Sequence, residues 1–276
     1  MIITPVAYGR MANRLLLAAH WIANSEETGV CYAHLRFGHY SRYFEKLRRK
    51  PALFYKPHRQ AAEAEAKDRA GKKLCKIFDI SKTCDLDGGM LDPTSPEFLK
   101  LQKSTAFIFT LGWHYRCYGA VAKHRETIKE FFAPAKEYED RARKFMDAQK
   151  KDADMVVGVH VRQTDYADFN GGKWLYGNDT YRNIMEQTAE AFGCRVRFVI
   201  CSDAEVELSA FGKLDVAPAI NHEFCDNLCL GYCDRIIGPP STYSKWASFI
   251  GGVPRLVADK PDVVVAPSAF KIAKTV

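Results

Sequence analysis

From residue 155 onward the chain alternates short apolar runs with helix-length amphipathic stretches, and this alternation restricts the fold more than any other feature. The first run, Met155 to Val159, is interrupted only by Gly158. A continuous apolar run of that length suits a strand covered on both faces. Further strands are expected at 196–201, 235–238 and 254–258, with a weaker one near 214–217. Helices are expected at 180–192, 204–210, 224–232 and 242–250. Strands separated by helices pair through crossovers, which implies a parallel sheet with helices on both faces.

The first half is less regular. Ile2 to Ala7 reads as a strand, Tyr8 to Arg14 as a turn, Leu15 to Asn24 as a helix and Val30 to Ala33 as a strand. Helices are expected around 41–49, 58–70, 121–132 and 135–150, and strands at Lys76 to Ile80 and Thr105 to Thr110. The polar stretch Gln149 to Asp154 is the expected boundary, giving domains 1–150 and 151–276. A chain of 276 residues with 47% hydrophobic content accommodates two such cores.

Leu15 to Ala23 has the apolarity of a signal-peptide core, but His20 and Trp21 interrupt it and a strand precedes it, so it is read as part of the fold. No segment has the roughly 20 uninterrupted apolar residues of a membrane span. The nine cysteines follow no disulfide-scaffold spacing, which points to a reducing, cytoplasmic setting. Cys225, Cys229 and Cys233 share one helix face and are read as small buried thiols rather than metal ligands. Net charge is +7, yet residues 36–76 alone hold 13 Lys or Arg against 4 Asp or Glu. This excess could meet an anionic acceptor, a membrane or nucleic acid, but a solvated helical face is the simpler reading.

Ligands of open parallel sheets lie at the carboxyl ends of the strands. The run from Met155 emerges into His160-Val161-Arg162-Gln163-Thr164-Asp165, and the five-donor fork of Arg162 suits a phosphate. A structural ion pair is the competing reading. The strand at 196–201 ends in Ser202-Asp203, and the strand at 235–238 runs through Pro239-Pro240 into Ser241-Thr242. Ser241 or Thr242 would cap the following helix, whose start is a ready anion site. Asp226, near the start of another helix, is either a cap or an acceptor for the N1 and N2 donors of guanine. Asp85-Leu86-Asp87 and Asp152-Ala153-Asp154 are short acidic pairs of the kind that hold Mn²⁺ or Mg²⁺ beside a diphosphate, and also occur by chance.

Together these motifs resemble fucosyltransferases of the α1,2, α1,6 and protein-O types. Gly9-Arg10-Met11-Ala12-Asn13-Arg14 resembles their Gly-Arg-x-Gly-Asn-Gln turn, and His160 to Asp165 their His-x-Arg-Arg-x-Asp motif. Phe198 to Asp203 and Asp226 to Ser244 resemble their later motifs, and Gly112-Trp113 with the helix from Val121 to Pro134 a middle segment of the α1,2 group. The resemblance implies a GT-B-type fold, two Rossmann-like domains facing a cleft, the first on the acceptor side and the second holding GDP-fucose. It implies that Arg162 binds the β-phosphate, that Ser241 and Thr242 meet phosphate oxygens and that Asp226 reads guanine. His160 would border the base, and Arg10 and Asn13 would approach the donor. The chain departs from the pattern at Ala12, at Gln163 (a second arginine in the family) and at Pro239-Pro240.

The implied reaction is inverting transfer of fucose to a glycan hydroxyl without a metal or other cofactor. Asp165 and Asp168 are the nearest general-base candidates. A metal-dependent transferase using Asp85 and Asp87, or a non-catalytic nucleotide- or glycan-binding relative, are the alternatives.

Overall fold

A computed structural model describes residues 1–48, 50–58, 73–79, 95–112 and 115–276. The expected helix at 58–70, the Asp85-Asp87 pair and Trp113 fall wholly or largely outside these residues. The described chain forms two compact units, Met1–Ala135 with Thr275–Val276, and Lys136–Lys274. The division falls between Ala135 and Lys136, ahead of the polar stretch at 149–154, because helix 136–150 packs within the second unit.

The first unit holds a sheet of five strands, β1 (Ile2–Thr4), β2 (Tyr32–His34), β3 (Leu53–Tyr55), β4 (Lys73–Asp79) and β5 (Thr105–Leu111), in the order β3-β2-β1-β5-β4. Only β3 runs antiparallel. Helix α1 (Met11–Thr28) is buried along most of its length, which its Leu- and Ala-rich sequence permits. Trp21 of α1 stacks on Tyr115 at 3.6 Å. Gly29, at φ 76°, closes the helix in the left-handed cap conformation, its N–H donating to the Ser25 carbonyl. The expected turn at 8–14 is shorter, since α1 already begins at Met11 and Ala12 is a buried helical residue. Helix α2 (Pro96–Ser104) starts at a Ser95 cap with proline in its first turn. The helix expected at 121–132 is two, α3 (Tyr118–Lys123) and α4 (Arg125–Phe131), parted at His124. At 41–49 the chain makes 3-10 turns instead of an α-helix.

The second unit begins with α5 (Lys136–Lys150) and continues β6 (Met155–Val161), α6 (Asn178–Phe192), β7 (Val196–Ser202), β8 (Asp215–Pro218), α7 (Glu223–Tyr232), β9 (Arg235–Gly238), α8 (Thr242–Gly251) and β10 (Arg255–Val257). Its five strands are all parallel, in the order β10-β9-β6-β7-β8. The winding reverses between β6 and β9, so the topological switch point lies at their carboxyl ends. Gly158 of β6 is where α7 sits closest, because a Cβ there would meet Leu230 Cδ2 at 2.6 Å. The strands and helices agree with the alternation in the sequence, save that 204–210 contains a 3-10 turn at Leu208–Phe211 and no α-helix.

Candidate active site

The site grows from the continuation of β6. Val161 is the last buried strand residue, and Arg162 leaves the sheet with its side chain 14% exposed. Its Nε and Nη2 donate to the two oxygens of Asp165 at 2.7 and 2.8 Å, and Nη1 lies 3.2 Å from Asp203 Oδ2. Burial opposes the charge, but the two carboxylates outweigh it and raise the Arg162 pKa. Asp165 therefore braces the arginine. Each terminal guanidinium nitrogen carries a second N–H for another acceptor.

Asp203, one residue beyond β7, organises the loop after Arg162. It accepts the Gln163 N–H at 2.8 Å, the Thr164 N–H at 3.4 Å and the Thr164 hydroxyl. Burial alone would raise its pKa, yet these donors and Arg162 lower it. Ser202 turns inward on its own loop, accepting the Ala204 N–H at 3.1 Å. Asp168 stands exposed in the turn that follows.

On the other side of the switch point, Ser241 caps α8 by accepting the Tyr243 N–H at 3.1 Å, and Thr242 is the first helical residue. The helix start directs backbone N–H groups and a partial positive charge outward. Tyr166 connects the two halves. Its hydroxyl donates to the Pro240 carbonyl, and the Arg162 guanidinium carbon lies 5.8 Å from its ring centre.

Between them sits His160, 3% exposed, its ring 5.0 Å from that of Tyr243 and its Nδ1 buried without a hydrogen-bond partner. Burial, with Arg162 and Arg255 nearby, lowers its pKa to about 3, so the ring is neutral. Gly238 must lack a side chain here, since a Cβ would meet His160 Cβ and its carbonyl oxygen at 2.9 Å each.

Arg255 is the residue that sequence reasoning missed. It reaches from β10 beneath the start of α8, where Nη1 donates to the Ser241 carbonyl at 3.2 Å and to Ser244 Oγ at 3.3 Å. Burial lowers its pKa to about 10, and it remains a cation at neutral pH. No motif marks an arginine inside a short strand, so only the folded chain reveals it.

Asp226 lies deeper, 5% exposed in the first turn of α7. It accepts the Ile220 N–H at 3.0 Å and the His222 N–H at 3.3 Å. His222 caps the helix by accepting from the Phe224 and Cys225 N–H groups. Burial outweighs these bonds and raises the Asp226 pKa to about 6. Beside this loop runs an open groove of about 560 Å³, lined by Arg141, Lys144 and Phe145 of α5 and by 217–220.

Arg10 and Asn13 belong to the first unit. Arg10 is the exposed N-cap residue of α1, and Asn13 packs against Gly9, whose φ of 60° leaves no room for a side chain. Arg14 ties this corner down, donating to the Gly9 carbonyl at 3.1 Å and the Arg36 carbonyl at 2.8 Å. Asp154 of the second acidic pair accepts the Arg195 N–H at 3.0 Å, a structural contact. Among the described residues no group of three or more His, Cys, Asp or Glu side chains is arranged as a metal site, and no helix is long and apolar enough to cross a membrane.

The fold is shared with solved fucosyltransferases. POFUT1 in complex with GDP superposes with a TM-score of 0.55 at 12% identity, over 90% of this chain and 93% of that one. POFUT1 in complex with GDP-fucose gives 0.56 at 12% identity, over the same shares. A mutant of Arabidopsis thaliana FUT1 in complex with GDP gives 0.59 at 9% identity, over 98% of this chain and 73% of that one. At these identities the likeness is one of fold, the GT-B type expected from the motifs. No family model and no curated protein sequence matches the chain.

Proposed function

We propose that this chain is an inverting glycosyltransferase that takes GDP-fucose as donor and a glycan hydroxyl as acceptor, without a metal ion. The observation that carries the reading is the pairing of Arg162 with the start of α8 across the β6–β9 switch point, bridged by Tyr166. An anion placed there meets a guanidinium and a helix N-terminus together. Arg255 adds the second positive charge that Gln163 does not supply. The neighbours of like fold were solved with GDP or GDP-fucose, which favours that donor.

Departure of the diphosphate leaves negative charge on its terminal oxygens. Arg162, Arg255 and the α8 N–H groups stand ready for that charge before it forms, so little reorganisation is needed. Asp165 and Asp203 hold the Arg162 fork in place, and Ser241 and Thr242 bring the helix start to the phosphates. Ser202 supports the same strand end. Asp226 accepts from the base at the β8 side, each oxygen keeping a lone pair beyond its backbone bond, and His160 borders the base as a neutral ring. Asp165 being committed to Arg162, Asp168 is the better candidate to take the acceptor proton. For Arg10 and Asn13, in the first unit, a role toward the donor is what the family resemblance implies. The cytoplasmic setting rests on the cysteine spacing, which follows no disulfide scaffold.

Calorimetric titration with GDP, ADP and UDP in EDTA tests the proposal. Binding of GDP alone, lost in Arg162→Ala, is the expected result. Binding of UDP, or of any nucleotide only after Mn²⁺ is restored, would reject it in favour of a metal-dependent enzyme.

A further inference from the structure

We propose that the loop from Asp165 to Leu175 is a stacking platform for a pyranose ring of the acceptor, with the Phe169 ring as its contact face. The proposal rests on the donor site above and sets one acceptor contact on the second unit, whereas the resemblance implied that the first is the acceptor side.

Three aromatic rings form a mutual cluster beside Arg162, with Tyr166 and Trp174 also 6.4 Å apart. Tyr166 lies under Arg162, Phe169 stacks on Tyr166 with centroids 5.5 Å apart at 23°, and Trp174 lies 5.8 Å from Phe169 at 36°. The inner ring is buried, whereas Phe169 is 50% exposed. A single exposed phenylalanine is ordinary. A cluster that starts beside Arg162 and leaves its Phe169 ring half exposed is not explained by core packing.

The loop is built to keep that ring in place. Asn170, Gly171 and Gly172 have φ of 50°, 64° and 76°, which fold the chain back sharply. Trp174 Nε1 donates to the Asp259 carbonyl at 3.2 Å, and the Tyr176 hydroxyl donates to the Ala258 carbonyl at 3.0 Å. With Tyr166 bonded to Pro240, the loop is pinned along the carboxyl ends of β9 and β10. The platform and the donor site therefore share one edge of the same sheet.

The chemistry of the surface selects the occupant. The face of an aromatic ring carries negative charge density and suits the weakly positive C–H face of a pyranose. The sugar's hydroxyls then project sideways, and the loop exposes Asp168, Asn170 and Lys173, all able to hydrogen-bond, besides the apolar Leu175. A lipid would have little use for so small an apolar face set among charged side chains. A hydroxyl of the stacked ring would lie beside Asp168, the carboxylate best placed to deprotonate it.

The test is saturation-transfer NMR on the full chain with the methyl β-glycosides of galactose, glucose and N-acetylglucosamine, alongside GDP titration. At least one glycoside should show strong transfer to the C–H protons of one face. Phe169→Ala should weaken that glycoside about tenfold, as expected for one lost aromatic face, and Phe169→Trp should restore it. GDP affinity and the circular dichroism spectrum should be unchanged in both. The proposal is overturned if no glycoside contact depends on Phe169. GDP binding that persists in that case leaves the donor site standing. Phe169-dependent sugar contact without GDP binding would instead retain the platform and remove the donor reading.

Discussion

At the carboxyl ends of β1, β2 and β5 the side chains are Thr4, His34 and Thr110. The two threonine hydroxyls lie 3.3 Å apart, Tyr32 donates to Thr4 at 3.1 Å, and Thr110 donates to the Ile3 carbonyl at 3.2 Å. Burial lowers the His34 pKa to about 4, so that ring is neutral. At the ends of β6, β7 and β9 the corresponding side chains are Arg162, Asp203 and, past Gly238, the Ser241 cap, with Arg255 beneath. The buried side chains ending the first set are uncharged, although Arg14 of α1 stands near His34; those past the second set carry the Arg162–Asp203 ion pair. Two five-stranded sheets, the first parallel except at β3 and the second wholly parallel, thus differ in the residues at and after their strand ends. The fold offers both edges to a ligand, and in the proposed function the charged one takes the anion.

Arg162→Ala should separate the edges most sharply. It removes the charge proposed to meet the leaving diphosphate, and with it the ion pairs to Asp165 and Asp203. Turnover should fall about 100- to 1,000-fold, the range for loss of one pre-arranged donor. Thr110→Val at the neutral edge should leave GDP affinity unchanged. Equal GDP losses from the two variants would mean that the charged edge is not the site.

The second largest effect concerns stability. Glu26, 6% exposed in α1, accepts from the Tyr55 hydroxyl, the His58 N–H at 3.0 Å and the His58 ring at 3.2 Å. Burial would raise its pKa, but those donors prevail and lower it. Its contribution is therefore present above its unfolded pKa and lost as pH falls through the folded one. Glu26→Ala should cost about 3 kcal/mol, from donors left without an acceptor, as read by urea unfolding at pH 7. GDP affinity should be retained, since the carboxylate serves the fold of the first unit alone.

Arg255→Met comes next. Loss of one cation behind the helix start should weaken GDP about tenfold, the value of one charged hydrogen bond at the low end. Arg255→Lys should recover part of that loss, because it restores charge without the fork. A Met variant with native GDP affinity would make Arg255 purely a helix support.

The strands and helices of the second unit were legible because β6 and β7 are mostly apolar runs, each with one polar interruption, and Gly252, at φ 69°, ends α8 where the pattern stops. The first unit was harder. Its strands β1, β2 and β3 have three residues each, too short to show a period, and β3 was not anticipated. Arg162 was legible as the polar residue after a buried strand. Its dual grip by Asp165 and Asp203 was not, because Asp203 is distant in sequence and meets it only through β6–β7 pairing. Arg255 was invisible for the same reason, since its meaning arises from Ser241 and Ser244 above it.

Asp226 gives the smallest expected effect and the finest contrast with Glu26. Both carboxylates are nearly sealed from water, at 5% and 6% exposure. Glu26 is met by a hydroxyl, an imidazole and a backbone donor, whereas the bonds resolved at Asp226 come from backbone N–H groups. Burial therefore prevails at Asp226 and its pKa rises to about 6. Between about pH 4 and 6 the folded chain holds a proton there that the unfolded chain has released. Stability consequently falls as pH rises through that window, the reverse of Glu26. A carboxylate left short of donors is also one that gains from the N–H pair of a guanine. Guanosine, which has no phosphate to titrate, should bind about twofold more weakly at pH 6 than well above it, as half the sites become protonated. Asp226→Asn should abolish that step while also weakening the base at every pH, because its amide presents N–H toward a donor. A guanosine affinity that stays flat from pH 7.5 to 5.5 in the unaltered chain would show that Asp226 holds its loop and does not read the base.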